Sequence, residues 1–183
     1  MQNKIRLIGG DWRSRQILFD DYEGLRPTPV RVRETLFNWL QYDVIGSRCL
    51  DLYAGSGGLS FEAASRGAKF VLQVELSSQI CQQLHANTVK LKAKQIKLVC
   101  SDVFRFLAST TETFDLVFID PPFDKKLAIQ TCQWLEDKGV LSDHAKIYLE
   151  VERQLPLEGI PVNWVCLKNK SAGELDYYLF QRQ

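Results

Sequence analysis

The sequence lacks a long apolar segment, and it lacks the cysteine patterns of a disulfide-linked or zinc-bound fold. No apolar run approaches the ~20 residues that a membrane-spanning helix needs. No apolar stretch follows Met1–Lys4, so we expect no secretory signal. The five cysteines are an odd number without a C-x-x-C pair. This usage indicates a reduced, cytoplasmic protein rather than a disulfide framework.

Histidine is scarce, and His85 and His144 are far apart in the chain. Cys81 and His85 have the i, i+4 spacing that would place them on one helix face. Two such side chains do not make a zinc site, so we predict no metal. The sequence also offers no Ser/His/Asp arrangement and no catalytic Cys/His pair.

The length and the composition are those of one ordinary globular domain. The chain has 183 residues, of which 45% are hydrophobic and 25% charged, and these values exclude a disordered chain. No repeat and no linker rich in proline, glycine or serine divides it. We therefore expect one domain over residues 1–183, with an arm and a helix in residues 1–45 and a core in residues 46–183.

Positive charge is concentrated near the N-terminus, although the net charge of the whole chain is only +1. Residues 4–33 contain seven basic and four acidic residues, which gives +3 for this segment and −2 for the rest. Such a segment can meet phosphate groups, but a solvated surface segment explains the charge equally well. The candidate phosphate-binding residues are Arg6, Arg13, Arg15 and Arg31.

Short apolar strands alternate with helices beyond Gly46. Before it, Ile5–Leu18 is predicted to be an irregular hairpin, and Thr28 with Pro29 predicts an N-cap for a helix that ends near Tyr42. The later predicted strands are Cys49–Tyr53, Phe70–Val74, Ile96–Cys100, Phe114–Ile119 and Ile147–Val151. The later predicted helices are Leu59–Ser65, Ser77–Lys92, Val103–Ala108 and Lys126–Lys138. A terminal hairpin of Val162–Leu167 and Leu175–Phe180 is predicted, separated by Lys168–Glu174, in which Ala172–Gly173 indicates a turn.

This alternation predicts an α/β fold with a mostly parallel sheet and an antiparallel edge. Ligands of such sheets bind beyond the carboxyl ends of the strands, where the strand order reverses. We therefore expect the segments after Tyr53, Val74, Cys100 and Ile119 to converge on one crevice.

Three of these segments carry residues that suit an adenosine cofactor. Gly55 and Gly57 allow a sharp turn and a close backbone approach, but Ser60 replaces the third glycine of a dinucleotide fingerprint. Glu75 has the position of a carboxylate that accepts ribose hydroxyls, and Asp102 could accept from the adenine amine. Taken singly, each acid could instead cap a helix. Together, in chain order, they predict an adenosine cofactor.

The fourth segment, Asp120–Phe123, has two acceptors and an aromatic ring. Proline has no N–H, so Pro121 and Pro122 keep the loop rigid and leave carbonyl acceptors. Asp120 and the Pro121 carbonyl could hold an exocyclic amine and localise its lone pair, while Phe123 stacks on the base. We predict methyl transfer to that amine from S-adenosylmethionine, by positioning and electrostatics.

The sequence resembles the RsmD family of Rossmann-like class I methyltransferases. The resemblance covers nearly the whole chain and is most specific at Arg6–Arg15 (RLIGGDWRSR), Leu25–Leu40 (LRPTPVRVRETLFNWL), Asp51–Ala68 (DLYAGSGGLSFEAASRGA) and Asp120–Phe123. It implies a seven-stranded sheet and a cofactor site at Asp51, Tyr53, Gly55, Gly57, Glu75 and Asp102. The departures include Ser14, where the family usually has glycine.

The resemblance also implies the substrate. It is the N2 amine of guanine 966 of bacterial 16S rRNA, presented by the 30S subunit or its assembly intermediate, with S-adenosylhomocysteine as the second product. The target motif falls on Asp120, Pro121, Pro122 and Phe123, and the basic arm is expected to contact RNA. We expect a monomer.

Other functions remain open at this point. Amine methyltransferases that act on DNA adenine N6 or on protein glutamine share an Asp/Asn-Pro-Pro-aromatic motif. A non-catalytic RNA-binding assembly factor could keep the cofactor fold. An NAD-dependent oxidoreductase is the most distant alternative, because its fingerprint fails at Ser60.

Overall fold

The computed structural model describes residues 2–22, 25–123 and 127–183. The strands are β1 Gln2–Arg6, β2 Gln16–Asp20, β3 Arg48–Asp51, β4 Phe70–Glu75, β5 Ile96–Cys100, β6 Phe114–Ile119, β7 Leu141–Glu152, β8 Trp164–Ala172 and β9 Leu175–Arg182. The helices are α1 Val30–Trp39, α2 Gly58–Ser65, α3 Ser78–Leu91, α4 Val103–Ser109 and α5 Leu127–Asp137. In the described part of the chain, no helix is long and apolar enough to cross a membrane.

Seven strands form one sheet in the order β5-β4-β3-β6-β7-β9-β8. The first five are parallel to one another, and β9 pairs antiparallel with both β7 and β8. From β3 the chain moves outward to β4 and β5, and then crosses to β6 on the other side of β3. The strand order therefore reverses between β3 and β6, and ligands of such sheets bind at this point. The predicted fold, a mostly parallel sheet with an antiparallel hairpin at its edge, is confirmed.

Helices cover both faces of the sheet because the central strands are apolar on both sides. On β6, Phe118 packs into one core with Phe37 of α1 and Phe61 of α2. Its neighbours Val117 and Ile119 pack into the opposite core with α4 and α5. Residues two apart on a strand face the same side, so Asp120 continues the row of Phe118 toward α1 and α2.

The terminal hairpin differs from its predicted bounds. The predicted separation of the two strands by Lys168–Glu174 is wrong, because β8 continues to Ala172. The turn is formed by Gly173 and Glu174, one residue beyond the predicted Ala172–Gly173. The predicted start at Val162 is also wrong, since Val162 is fully exposed ahead of the strand. Within the part of the chain that the structure describes, β8 pairs with β9 alone, so most of its side chains are solvated and it shows no apolar pattern.

The start of α1 also differs from the prediction. The N-cap position is Pro29, which makes no side-chain cap hydrogen bond, and the helix ends at Trp39 instead of near Tyr42. The hydroxyl of Thr28 donates instead to Asp120 Oδ2 at 3.3 Å. A contact across the fold has therefore replaced the local cap. The predicted start of α5, Lys126, lies outside the described residues.

Candidate active site

The loop between β3 and α2 forms one wall of the candidate site. Gly57, the N-cap of α2, has φ 79°, and a Cβ there would lie 2.6 Å from the Phe61 ring. Only glycine fits this backbone without strain. The first N–H groups of α2 have no partner within the helix, and they begin beside the end of β3. The loop thus has the sharp turn that its glycines predict, and it brings the start of α2 beside the end of β3.

Asp51 ends β3 and is only 2% exposed. Its Oδ2 has no hydrogen-bond partner among the described residues. The pKa of Asp51 is raised to about 7, chiefly by burial; hydrogen bonds involving Ser60 oppose this increase, and the nearby charge of Glu75 adds to it. A buried acceptor without a partner costs free energy, so Asp51 is suited to a ligand that brings a donor or a positive charge.

Glu75 ends β4, and its carboxylate is hydrogen-bonded to the glycine loop, residues 52–57 between β3 and α2. Its Oε2 accepts from the Gly55 N–H at 3.0 Å, and its Oε1 accepts from the Ser77 N–H at 2.8 Å. A carboxylate has about four acceptor positions, so each oxygen retains capacity for a hydroxyl donor. The carboxylate therefore joins the loops after β3 and β4 at the edge predicted for the ribose.

The two remaining predicted cofactor residues have structural contacts of their own. The Asp102 carboxylate caps α4, because its Oδ1 accepts from the N–H groups of Phe104 and Arg105 at 2.9 and 3.0 Å. The Tyr53 hydroxyl lies 2.7 Å from Thr131 Oγ1 on α5. Burial raises the pKa of Tyr53 to about 12, so this hydroxyl stays protonated. Its side chain anchors the loop to α5.

Asp120 follows β6 directly, on the other side of the strand reversal from the glycine loop. Its pKa is raised well above the ordinary range by burial and by the nearby carboxyl groups of Glu150 and Asp51, against the hydrogen bond from Thr28. Three carboxyl groups thus meet at the ends of β3, β6 and β7. Clustered acids with raised pKa values are typical of functional sites.

The Pro-Pro-Phe segment lines a pocket of about 250 Å³. Pro121 is buried, Pro122 is exposed and Phe123 is half-buried. Ala128 on α5 and Glu150 on β7 line the same pocket. Pro121, Pro122 and Phe123 therefore line one opening of the molecule, and Asp120 directly precedes them in the chain.

Sequence reasoning did not identify two residues of this region, Thr28 and Glu150. Thr28 has the ordinary appearance of an N-cap, and no local pattern shows that it reaches Asp120. Glu150 interrupts the apolar run Ile147–Val151. An acid at the end of a buried strand is the signal that could have found it, but only the strand order shows that it neighbours Asp120.

The N-terminal hairpin, β1 with β2 and their connection, is fixed against α2 and α3. The Glu62 carboxylate accepts from the N–H groups of Ile8 and Gly9, each at 2.8 Å. The Asn87 side chain accepts from the Leu18 N–H at 3.0 Å and donates to the Leu18 carbonyl at 2.7 Å. The predicted arm is a rigid part of the surface.

Four arginines of this region are exposed: Arg6, Arg13, Arg15 and Arg31. Within the described residues, none of them forms an ion pair. Arg15 donates to the Lys90 carbonyl at 3.3 Å, which directs it along α3. Their charges are therefore available to an anionic partner.

Ser14, where glycine is usual, has a positive φ of 68°. Its N–H donates to the Leu7 carbonyl at 2.9 Å, which closes the connection between β1 and β2. The turn thus keeps a glycine-type backbone with a serine in it, at a cost in strain.

No group of three or more His, Cys, Asp or Glu among the described residues is arranged to hold a metal ion.

Together, the sheet order and the site define the methyltransferase fold. The structure of yhhF, a methyltransferase candidate from Escherichia coli, matches with a TM-score of 0.89 and 43% identity over 99% of both chains. Ribosomal RNA small subunit methyltransferase D of Escherichia coli K12 is 44% identical over 98% of this chain and 91% of its own. The namesake from Haemophilus influenzae is 42% identical over 98% of this chain and 95% of its own.

A family model described as "Conserved hypothetical protein 95" matches residues 5–181. The chain belongs to this family, the RsmD family of methyltransferases.

Proposed function

We propose that this chain is an S-adenosylmethionine-dependent methyltransferase that modifies the N2 amine of a guanine in bacterial 16S rRNA. By family resemblance the target is guanine 966. Residues 46–183 bind the cofactor and the base, and residues 1–45 contact RNA of the small ribosomal subunit. The proposed enzyme is monomeric and cytoplasmic. The observation that carries the proposal is the meeting of Asp51, Glu75 and Asp120 around the strand reversal.

The residues of the glycine loop fit the proposed cofactor. The buried, unpartnered Oδ2 of Asp51 suits the ammonium group of a methionine. Glu75 would hold the ribose hydroxyls, and Asp102 would accept from the adenine amine. Tyr53, Gly55 and Gly57 would shape the loop around the ligand. When bound, S-adenosylmethionine supplies a methyl group activated by a positively charged sulfur.

The loop after β6 would hold the acceptor. Asp120 and the Pro121 carbonyl accept the two hydrogens of the N2 amine, and this turns the nitrogen lone pair away from conjugation with the ring. Phe123 stacks on a base that has left its RNA context, and Pro122 keeps the loop rigid. The hydroxyl of Thr28 donates to Asp120 Oδ2 and holds this carboxyl group in place. Most of the rate enhancement then comes from orientation and fixed dipoles.

The substrate proposal is supported by the exposed arginines and by the relatives. The two curated relatives are named as methyltransferases of small-subunit ribosomal RNA. Arg6, Arg13 and Arg15 lie on the N-terminal hairpin and Arg31 on α1, which is the helix that follows Thr28. Structured RNA contacted through its phosphates suits such a fixed basic surface.

One assay tests the whole proposal. The protein and tritiated S-adenosylmethionine are incubated with one substrate at a time: undermethylated 30S subunits, naked 16S rRNA, DNA or protein. Labelled nucleic acid is digested to nucleosides and labelled protein to amino acids. We expect label on N2-methylguanosine from 30S subunits. Label on N6-methyladenosine or on glutamine would replace the proposed reaction with another. Cofactor binding without any transfer would indicate an assembly factor.

A further inference from the structure

Glu150 is a buried carboxyl group that the proposed cofactor and amine contacts leave unused. It is 4% exposed and lies near the end of β7. The register pairs Ile119 of β6 with Leu149 of β7, so Glu150 lies beside Asp120. Neighbouring strands are ~4.8 Å apart, so the two carboxyl groups can reach adjacent donors on one small molecule.

Although buried from solvent, Glu150 lines the pocket formed by the Pro-Pro-Phe segment. The pocket of about 250 Å³ also has Leu127 and Ala128 of α5 and Val151 in its wall. It is smaller than the ~300–1,000 Å³ of pockets that hold drug-sized ligands. A single base is therefore a better match than a larger group. The wall contains two carboxyl groups, Glu150 and Glu152, and Glu150 is the one that the strand register places beside Asp120.

The surroundings of Glu150 fix one oxygen and leave the other for a ligand. The Tyr148 hydroxyl donates to Glu150 Oε2 at 2.7 Å. Tyr148 is itself fully buried and packs edge-on against Phe118, with ring centroids 6.4 Å apart. Oε1 accepts no hydrogen bond from the described residues. The side chain is thus a preorganised acceptor.

The chemistry of the purine edges then distinguishes guanine from adenine. Guanine carries a hydrogen on N1 next to its N2 amine, whereas adenine has an acceptor lone pair at N1 next to its N6 amine. An acceptor beside Asp120 therefore favours guanine and opposes adenine. We propose that Glu150 selects guanine by accepting the N1–H while Asp120 holds the N2 amine. This inference rests on the proposed function, because it names the specificity-determining residue of the same site.

Replacing guanine by 2-aminopurine tests the N1 contact. 2-Aminopurine keeps the exocyclic amine, has a lone pair at N1 in place of the hydrogen, and has a hydrogen in place of the C6 oxygen, so the N1 contact is isolated by comparing wild type with Glu150→Gln. Small subunits are assembled with guanine or 2-aminopurine at the methylated position, and single-turnover rates are compared. Wild-type protein should prefer guanine by about tenfold or more, as expected for one mispaired buried hydrogen bond. Equal rates in the wild type would overturn the proposal without any variant.

Glu150→Gln supplies the complementary test. The amide can donate to the N1 lone pair of 2-aminopurine, so the preference for guanine should fall to about threefold or less. A binding readout uses 2-aminopurine fluorescence with S-adenosylhomocysteine present. Glu150→Gln should bind the 2-aminopurine subunits more tightly than wild type. A folded Glu150→Gln protein with the wild-type preference in both measurements would overturn the proposal.

Two further variants separate selection from general damage. Glu158→Gln removes the same charge from an exposed position outside the pocket and should leave the preference unchanged. Tyr148→Phe removes only the hydroxyl that fixes Oε2 and should reduce the preference by a smaller factor. If wild-type protein puts no label on guanine N2, the proposed function itself fails. If it labels guanine N2 but ignores the N1 hydrogen, only the role of Glu150 fails.

Discussion

Asp120 is the residue on which the proposed chemistry depends most directly. Asp120→Ala removes the carboxyl acceptor and should lower the single-turnover methylation rate about 100-fold or more, the usual cost of losing one preorganised polar contact in an active site. Asp120→Asn keeps one carbonyl oxygen and should retain more of the rate. Thr28→Val removes only the hydrogen bond to Oδ2 and should have the smallest effect.

Cofactor affinity, measured by calorimetry, should be nearly unchanged in these three variants. If Asp120→Ala methylates 30S subunits at the wild-type rate, the loop after β6 is not where the reaction occurs. If cofactor affinity falls in parallel with the rate, Asp120 belongs to the cofactor site instead.

Asp51 makes the stability of the ligand-free protein depend on pH. Its pKa is about 7 in the folded chain against an ordinary 3.8. Between these values the folded chain holds more protons than the unfolded chain, so stability falls as pH rises. From pH 5 to pH 8 this group alone should remove about 2–3 kcal/mol from the free energy of unfolding.

Urea unfolding at the two pH values measures the effect. Asp51→Asn cannot titrate, so its stability should fall less than that of the wild type over the same range. Asp43→Asn, at an exposed position, should keep the wild-type pH dependence. A wild-type protein that gains stability from pH 5 to pH 8 would contradict the assignment.

At the residue scale, the sequence was most informative where a side chain follows a strand directly. Asp51, Glu75 and Asp120 could be placed at one edge because parallel strands present their carboxyl ends together. Glu150 and Thr28 could not be placed beside Asp120, because that neighbourhood depends on strand order and on a loop crossing the sheet edge. Local preference at Thr28 favours a cap, and the hydrogen bond across the fold overrides it.

At the scale of elements, the apolar strands were predicted almost to the residue, and the polar ones were not. β5 and β6 coincide with their predicted ranges. β6 is buried at every position except Asp115, so its apolar run is nearly continuous, whereas β5 is a half-buried strand at the edge of the sheet. β7 begins six residues earlier than predicted, in the polar segment Leu141–Lys146. That segment contains His144 with φ 60°, and the pairing with β6 is irregular there, so no periodicity marks it.

The connection between β1 and β2 offers a matched pair of backbone tests. Gly10 has φ 73°, and a Cβ there would lie 1.7 Å from the Ser65 carbonyl oxygen of α2. Gly10→Ala must therefore displace the hairpin from α2 and should destabilise the protein by several kcal/mol. Ser14→Gly relieves a left-handed serine at an exposed turn and should stabilise the protein by about 0.5–1 kcal/mol.

Thermal and urea unfolding of both variants check these signs. Gly10→Ala should also weaken binding to 30S subunits, since the exposed arginines of the hairpin would no longer be held in place. A neutral Gly10→Ala would mean that the close contact with Ser65 is absent in solution. A destabilising Ser14→Gly would mean that the serine side chain makes a contact that outweighs the strain.

At the scale of the whole molecule, buried contacts connect the candidate site with the basic surface, which is formed by Arg6, Arg13, Arg15 and Arg31. The Arg33 guanidinium donates to the Arg6 carbonyl at 3.2 Å and to the Thr28 carbonyl at 3.3 Å. It also lies 3.8 Å from the Glu62 carboxylate, which holds the hairpin connection. Thr28 then donates to Asp120. RNA bound to the N-terminal hairpin would therefore be connected, through these buried contacts, to the loop after β6 that contains Asp120.

We expect the exposed arginines of the N-terminal hairpin to give it an electrostatic role in binding RNA. Arg13 and Arg15 are exposed on the hairpin connection. Replacing both by alanine should weaken binding to 30S subunits and reduce the slope of log K against log salt by about 0.7–0.9 for each lost phosphate contact. Cofactor affinity should not change, because neither side chain is near the glycine loop. The measurement is a set of binding titrations across a range of salt concentrations.

Lys168→Ala with Lys170→Ala is the charge-matched control. Both lysines are exposed on β8, at the edge of the sheet opposite β5. This pair removes the same net charge, so a nonspecific effect of charge would alter the salt slope equally in both double variants. We expect a change only for Arg13 and Arg15, because a local contact depends on where the charges lie. An unchanged slope in that variant would leave the arginines with no role in binding RNA, and the docking surface would have to lie elsewhere.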